Sequence, residues 1–131
     1  MKKIFIVIVV LFLIILFAAV SCSAFMQNGM EEAKKELMSI NDPDLSKVKD
    51  GVCKGNKETV LVKADVEVSV FNNKITSINK IRHENGKGKP AEVIIDNMVK
   101  ENTTNVELVS GATMSSLVIR AAVIDALNKG L

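Results

Sequence analysis

Apolar and polar positions alternate with different periods along this chain, and each change of period marks an element. Ile4 to Val20 is an unbroken run of 17 apolar residues. With Ser21 to Met26 it stays free of charge, giving the ~20 residues a bilayer span needs. Gln27, Asn28 and Gly29 predict a break there. Met30 to Ile40 then reads as a short, mostly charged helix with Glu31 and Lys35 at i, i+4, followed by a turn at Asn41-Asp42-Pro43-Asp44 and a linker over Leu45 to Lys49. From Thr59 to Phe71, Val60, Val62, Ala64, Val66, Val68 and Val70 alternate with mostly polar neighbours, which predicts a strand with one buried face.

Asn72-Asn73 predicts a two-residue turn, because asparagine tolerates positive φ. Lys74 to His83 returns as the partner strand. Ile75 and Ile81 should face one way and Ile78 the other, so a bulge or two-sided burial is expected. A polar, glycine-rich loop follows from His83 to Pro90. Ala91, Ile94, Ile95, Met98 and Val99 have the spacing of an amphipathic helix, with Pro90 suited to its first turn and Asn102 to Asn105 closing it. Val106 to Val109 reads as a short strand, and Thr113 to Asn128 as the last helix. The expected fold is α+β: an antiparallel β-meander with two helices packed on it, preceded by an N-terminal transmembrane helix.

Charge narrows the function classes. Lys2 and Lys3 account for the formal +2; beyond residue 20 the chain balances at 15 basic against 15 acidic residues. A neutral domain without a basic block argues against a nucleic-acid partner. Two cysteines, Cys22 and Cys53, do not make a disulfide framework, and a single histidine leaves a zinc site short of ligands. Phe71 is the one aromatic residue after Phe25.

The leader can be read in more than one way. The run exceeds the roughly 7–15 apolar residues of a cleaved signal peptide. An uncleaved single-pass helix and a lipoprotein signal both remain open, since Ala19-Val20-Ser21-Cys22 resembles a lipobox. In either case Lys2 and Lys3 stay in the cytoplasm and the domain lies on the extracytoplasmic side, against the membrane lipid. The expected organisation is an anchor over 1–26, a stalk over 27–49 and a domain over 50–131.

Candidate chemistry concentrates at Ser110-Gly111-Ala112-Thr113-Met114-Ser115-Ser116. Small residues let the backbone approach another molecule, and the helix that begins here offers free N–H groups to an anion. Read from the residues, this is a place for a phosphate. The plainer reading is a helix cap, with Thr113 at the N-cap and Ser116 three residues on.

The stretch resembles the flavinylation motif Ser/Thr-Gly-Ala-Ser/Thr-x-Ser/Thr of the FMN-binding domain family, which includes flavin-carrying subunits of the sodium-pumping NADH:quinone oxidoreductase and of the Rnf complex. Asp50-Gly51-Val52-Cys53-Lys54-Gly55 resembles that family's opening, with Cys53 where an aromatic is usual. Glu107 stands where the family usually has aspartate. The resemblance covers about residues 50 to 128 and implies covalent FMN, held by a phosphoester to Thr113. Ser110, Gly111, Ala112, Met114, Ser115 and Ser116 would surround the phosphate, and His83 would rim the flavin. The ring would rest on aliphatics such as Met98, Met114 or Leu117, with Phe71 a further candidate. The implied partners are a flavin transferase using FAD and magnesium, and a membrane electron donor such as a quinone or NADH dehydrogenase system. The implied activity is electron carriage by a membrane-anchored protein. A membrane-bound flavin-binding or sensory/interaction module without covalent flavin is the alternative. No Gly-x-Gly-x-x-Gly follows a strand, so a nicotinamide-using enzyme is disfavoured.

Overall fold

The computed structural model describes residues 1–84 and 86–131, which divide into two compact units, Met1–Lys35 and Glu36–Leu131. The first is the greater part of helix α1 (Lys2–Met38), long and apolar enough to cross a membrane. α1 runs straight through Gln27, Asn28 and Gly29, so the expected break is absent. One glycine costs a helix only about 1 kcal/mol, too little to break a helix of this length.

The second unit is an α+β layer structure. Strands β1 (Gly51–Glu58), β2 (Lys63–Phe71) and β3 (Lys74–Glu84) form an antiparallel sheet in that order among the described residues. β2 is the central strand. Its Ala64, Val66, Val68 and Val70 are buried while the residues between them face outward, the period-two burial of a one-faced sheet.

The expected strand from Thr59 begins four residues too early. Thr59 to Val62 is a turn closed by its own threonine: Thr59 N–H donates to the Val62 carbonyl (2.7 Å) and Val62 N–H to Thr59 Oγ1 (3.1 Å). Asn72 and Asn73 make the second turn with φ of 55° and 62°, as expected for asparagine.

β3 carries two irregularities. Ser69 pairs with Ser77 and Val70 with Ile75, so Thr76 is an extra residue. Asp65 pairs with Arg82 and Val66 with Lys80, so Ile81 is another. The first bulge brings Ile75 and Ile78 onto the same buried face. The second leaves Ile81 57% exposed. The bulge was anticipated; the expectation that Ile75 and Ile81 share a face was not met, because each bulge shifts the alternation by one.

After β3, a 3-10 turn over Lys89–Glu92 has Pro90 in its first positions and leads into α2 (Val93–Glu101), which packs on β3 through Ile94, Ile95 and Met98. Asn102 ends α2 in the left-handed region (φ 54°). Its side chain then finishes the edge of β3, accepting from Ile75 N–H at 2.8 Å. Val106 to Val109 is not a strand. Its amides are met locally, Val106 N–H by the Thr104 carbonyl and Val109 N–H by Ser116 Oγ, so no sheet edge is used.

α3 (Thr113–Lys129) lies on β1 and β2, with most of its length buried. Gly55 makes the contact possible: a Cβ there would stand 2.1 Å from the Ala122 carbonyl oxygen and 2.4 Å from Ala126 N. Residues 36–49 also belong to this unit. Leu37 and Val48 are buried in the core, and Leu45–Lys47 forms a 3-10 turn whose preceding Asp44 caps Ser46 N–H at 3.0 Å. The stretch expected to be stalk and linker is thus in part domain.

Candidate functional site

The direction of α3 fixes which end of the sheet its N-terminus reaches. Gly130 lies by Cys53, Lys129 Nζ donates to the Lys54 carbonyl, and Asp125 accepts from Asn56 N–H. Ala122 meets Gly55. α3 therefore runs antiparallel to β1. From Ala122 back to Thr113 the helix rises about 13 Å, at about 1.5 Å per residue. From Gly55 to Thr59 the strand rises about the same, at about 3.3 Å per residue. Thr113 is thus carried to the end of the sheet where β1 turns into β2 and β3 finishes at His83 and Glu84.

The motif itself is two local devices in series. Val109 to Ala112 is a tight turn, with Ala112 N–H donating to the Val109 carbonyl at 3.0 Å and Gly111 at φ 79°. That positive φ at the third position is the type II signature and suits glycine. α3 then starts at Thr113, with Ala112 as its N-cap. The expected placing of the N-cap at Thr113 is one residue too late. Among the described residues no side chain caps this helix, and no acid stands in its first turn. The first intrahelical bond is Ser116 N–H to the Ala112 carbonyl. The amides of Thr113, Met114 and Ser115 therefore open the helix without a side-chain acceptor, at the positive end of the macrodipole.

Ser110 and Gly111 are exposed, Thr113 and Met114 are half-buried, and Ala112, Ser115 and Ser116 are buried. Ser116 does something sequence reading missed. Its hydroxyl donates to the Ala112 carbonyl (2.9 Å) and accepts from Val109 N–H (3.1 Å). Its one proton is committed inward, so it braces the turn against the helix, where a donor to an external phosphate had been expected. Glu107 is exposed.

His83 pairs with Ala64 on β2, on the buried face of the sheet, and its side chain is covered. Its Nδ1 lies 3.0 Å from Glu92 Oε1, while Lys80 Nζ is 2.6 Å from Glu92 Oε2. The Lys80 ammonium, and after it His83, hold the Glu92 carboxyl below the usual carboxylate range. Nδ1–H donating to this carboxylate would fix the histidine's tautomer and ring orientation. The partnership spans nine residues in sequence and shows only once β3 and the 3-10 turn are side by side.

Of the aliphatics expected beneath a flavin ring, Met98 and Leu117 are buried, leaving Met114 as the accessible one. Phe71 ends β2 next to the Asn72-Asn73 turn, at the opposite end of the sheet from Thr113, and is 65% exposed. It is not part of this site.

The chemistry of the site suits a phosphate ester. It offers a hydroxyl on the first residue of a helix, three unclaimed amides, small residues at Gly111 and Ala112, and no acidic side chain in the first helical turn. Against known families, residues 62–128 match the family described as FMN-binding domain. No curated protein and no solved structure shows significant similarity to the chain.

Proposed function

The chain belongs to the FMN-binding domain family, and from that premise we propose that it is a membrane-anchored electron carrier holding FMN covalently at Thr113. The observation that carries the reading is the start of α3: an uncapped helix N-terminus, entered through a positive-φ glycine, with Thr113 as its first residue. Thr113 Oγ1 would be joined to the FMN phosphate by a phosphoester. The amides of Thr113 to Ser115 and the helix dipole would meet the remaining negative charge. Gly111 and Ala112 leave room for the phosphate beside the main chain, and Ser110 and Ser115 offer hydroxyls nearby. His83, held by Glu92, belongs to the same end of the sheet, where its covered side chain would support the flavin site from beneath.

When bound, FMN supplies one- and two-electron redox chemistry. The protein's part is to tether the group, neutralise its phosphate and set its access to solvent. A flavin transferase would make the bond from FAD with magnesium, Thr113 Oγ1 displacing AMP as the FAD pyrophosphate is cleaved and the hydroxyl proton passing to solvent. α1 would hold the domain at the membrane, with Lys2 and Lys3 on the cytoplasmic side and the domain extracytoplasmic. A quinone or NADH dehydrogenase system in that membrane would be the electron donor.

The test is whether colour outlives the fold. Full-length chain produced with a flavin transferase should keep its yellow flavin through denaturation and electrophoresis. Flavin released on unfolding would reject the covalent link and leave a protein that binds FMN reversibly.

A further inference from the structure

The turn between β1 and β2 is built from the wrong residues for a turn. Two-residue connections between antiparallel strands ordinarily use Gly, Asn, Asp or Ser, which accept tight backbones and solvent. The chain does this at Asn72-Asn73. At the other end of the sheet the connecting pair is Val60-Leu61, and the side chains have nowhere to go: Val60 is 92% exposed and Leu61 52%. The backbone beneath them is fixed by the paired Thr59–Val62 hydrogen bonds. Two bulky apolar groups are thus held in water on a braced tip. Single exposed apolar residues need no explanation, but an adjacent pair against turn chemistry, at the end of the sheet that carries Thr113, does.

Resting on the covalent-FMN reading, we propose that Val60 and Leu61 form an apolar lip that covers the isoalloxazine ring of FMN attached at Thr113. An aromatic ring on a short tether needs apolar surface within reach. At this end Met98 and Leu117 are already inside the core, and the domain's one phenylalanine is at the far end of the sheet. Accessible apolar side chains toward this end include Met114 on α3, Ile81 on β3, Val93 at the start of α2 and the Val60–Leu61 tip, of which the tip alone is an adjacent pair set on a turn. With α3 running antiparallel to β1, its first turn comes level with that tip. The ring lies between the two, with the tip as the wall opposite Met114, and the apolar pair is buried only in the loaded protein. The scarcity of aromatic quenchers leaves the flavin fluorescent enough to report on its own exposure.

The test uses full-length chain produced with a flavin transferase, as wild type and as Val60→Ser with Leu61→Ser, a change that suits a turn and keeps β1–β2 pairing. Intact mass reports FMN attachment separately from ring cover. Iodide quenching of flavin fluorescence reports the cover. Ligands in formed pockets have roughly 70–90% of their surface covered, so losing one wall should raise the quenching constant about twofold or more. The melting temperature of unloaded protein should stay unchanged, while the gain on loading should shrink in the double variant. Equal attachment with unchanged quenching overturns the lip and leaves the tip to a protein or lipid contact. Should the wild type carry FMN without the mass increase, the covalent reading fails while the quenching ratio still decides the lip. Wild type that takes up no flavin overturns both.

Discussion

Gly55→Ala is the smallest change that tests how α3 is held. The added methyl would sit 2.1 Å from the Ala122 carbonyl oxygen, 2.4 Å from Ala126 N and 2.8 Å from Ala126 Cβ. Ordinary contact starts near 3.4 Å, so the helix must lift from β1 by about 1 Å, and two of the three obstacles are backbone atoms that no rotamer change removes. A radial gap of about 0.5–1 Å forfeits roughly a quarter to a half of the dispersion well for the atoms concerned. That loss spreads over Ala122, Ala126 and the Gly130–Val48–Cys53 contact. Overpacking of this kind typically costs about 1–3 kcal/mol, occasionally more. With the backbone as obstacle, about 3 kcal/mol is expected, out of a total near 5–15 kcal/mol. For a domain of this size that lowers the melting temperature by on the order of 12–24 °C. The assay is thermal unfolding of the full-length chain in mild detergent, followed by circular dichroism, with flavin loading measured in parallel. Loading should fall with stability, because Thr113 rides on the displaced helix. A melting point within a few degrees of wild type would refute the packing of α3 on Gly55 and, with it, the placement of Thr113 at the β1–β2 end.

Other consequences follow from single contacts. Ser116→Ala removes the acceptor for the half-buried Val109 N–H; losing that bond costs about 1 kcal/mol, visible as a lower denaturant midpoint and slower flavin loading. Starting the chain at Asp50 removes Leu37 and Val48, 2% and 3% exposed, at about 1.5–3 kcal/mol each; a chain starting at Glu36 should be the more stable by urea titration. Glu92 sits below its ordinary carboxylate range when folded, so its contribution is full above about pH 4.3 and lost as pH falls through the lower folded value. Glu92→Gln should therefore be about 0.5–1 kcal/mol less stable than wild type near neutral pH, with the gap closing in acid. A gap that stayed open in strong acid, where Glu92 is protonated in both states, would contradict the Lys80–Glu92–His83 cluster.

What the sequence made legible is what period and turn chemistry govern. The alternation from Val62 to Val70, the Asn72-Asn73 turn and the 91–99 helix needed no tertiary information. β1 was opaque because its inward positions are Cys53, Gly55 and Lys57, which show no apolar alternation; its place depends on α3 lying against a bare backbone. Val106 to Val109 has the composition of a strand but pairs with neither edge of the sheet, and local bonds take the Val106 and Val109 amides. Val60 continued the apolar period and looked like strand, although the hydroxyl of Thr59 closes the chain into a turn there. At the site, small residues before a helix were enough to indicate a phosphate. The bracing role of Ser116 and the hold of Glu92 on His83 depend on chain reversals that spacing alone does not reveal.

The most direct measurement is the intact mass of the full-length chain produced with a flavin transferase, beside Thr113→Ala and Thr113→Ser. The account predicts a gain of one FMN less one water in wild type, the same gain in the serine variant, which keeps the hydroxyl, and none in the alanine variant. A folded, unmodified wild type in the presence of a competent transferase, or an alanine variant that still gains the mass, would contradict it.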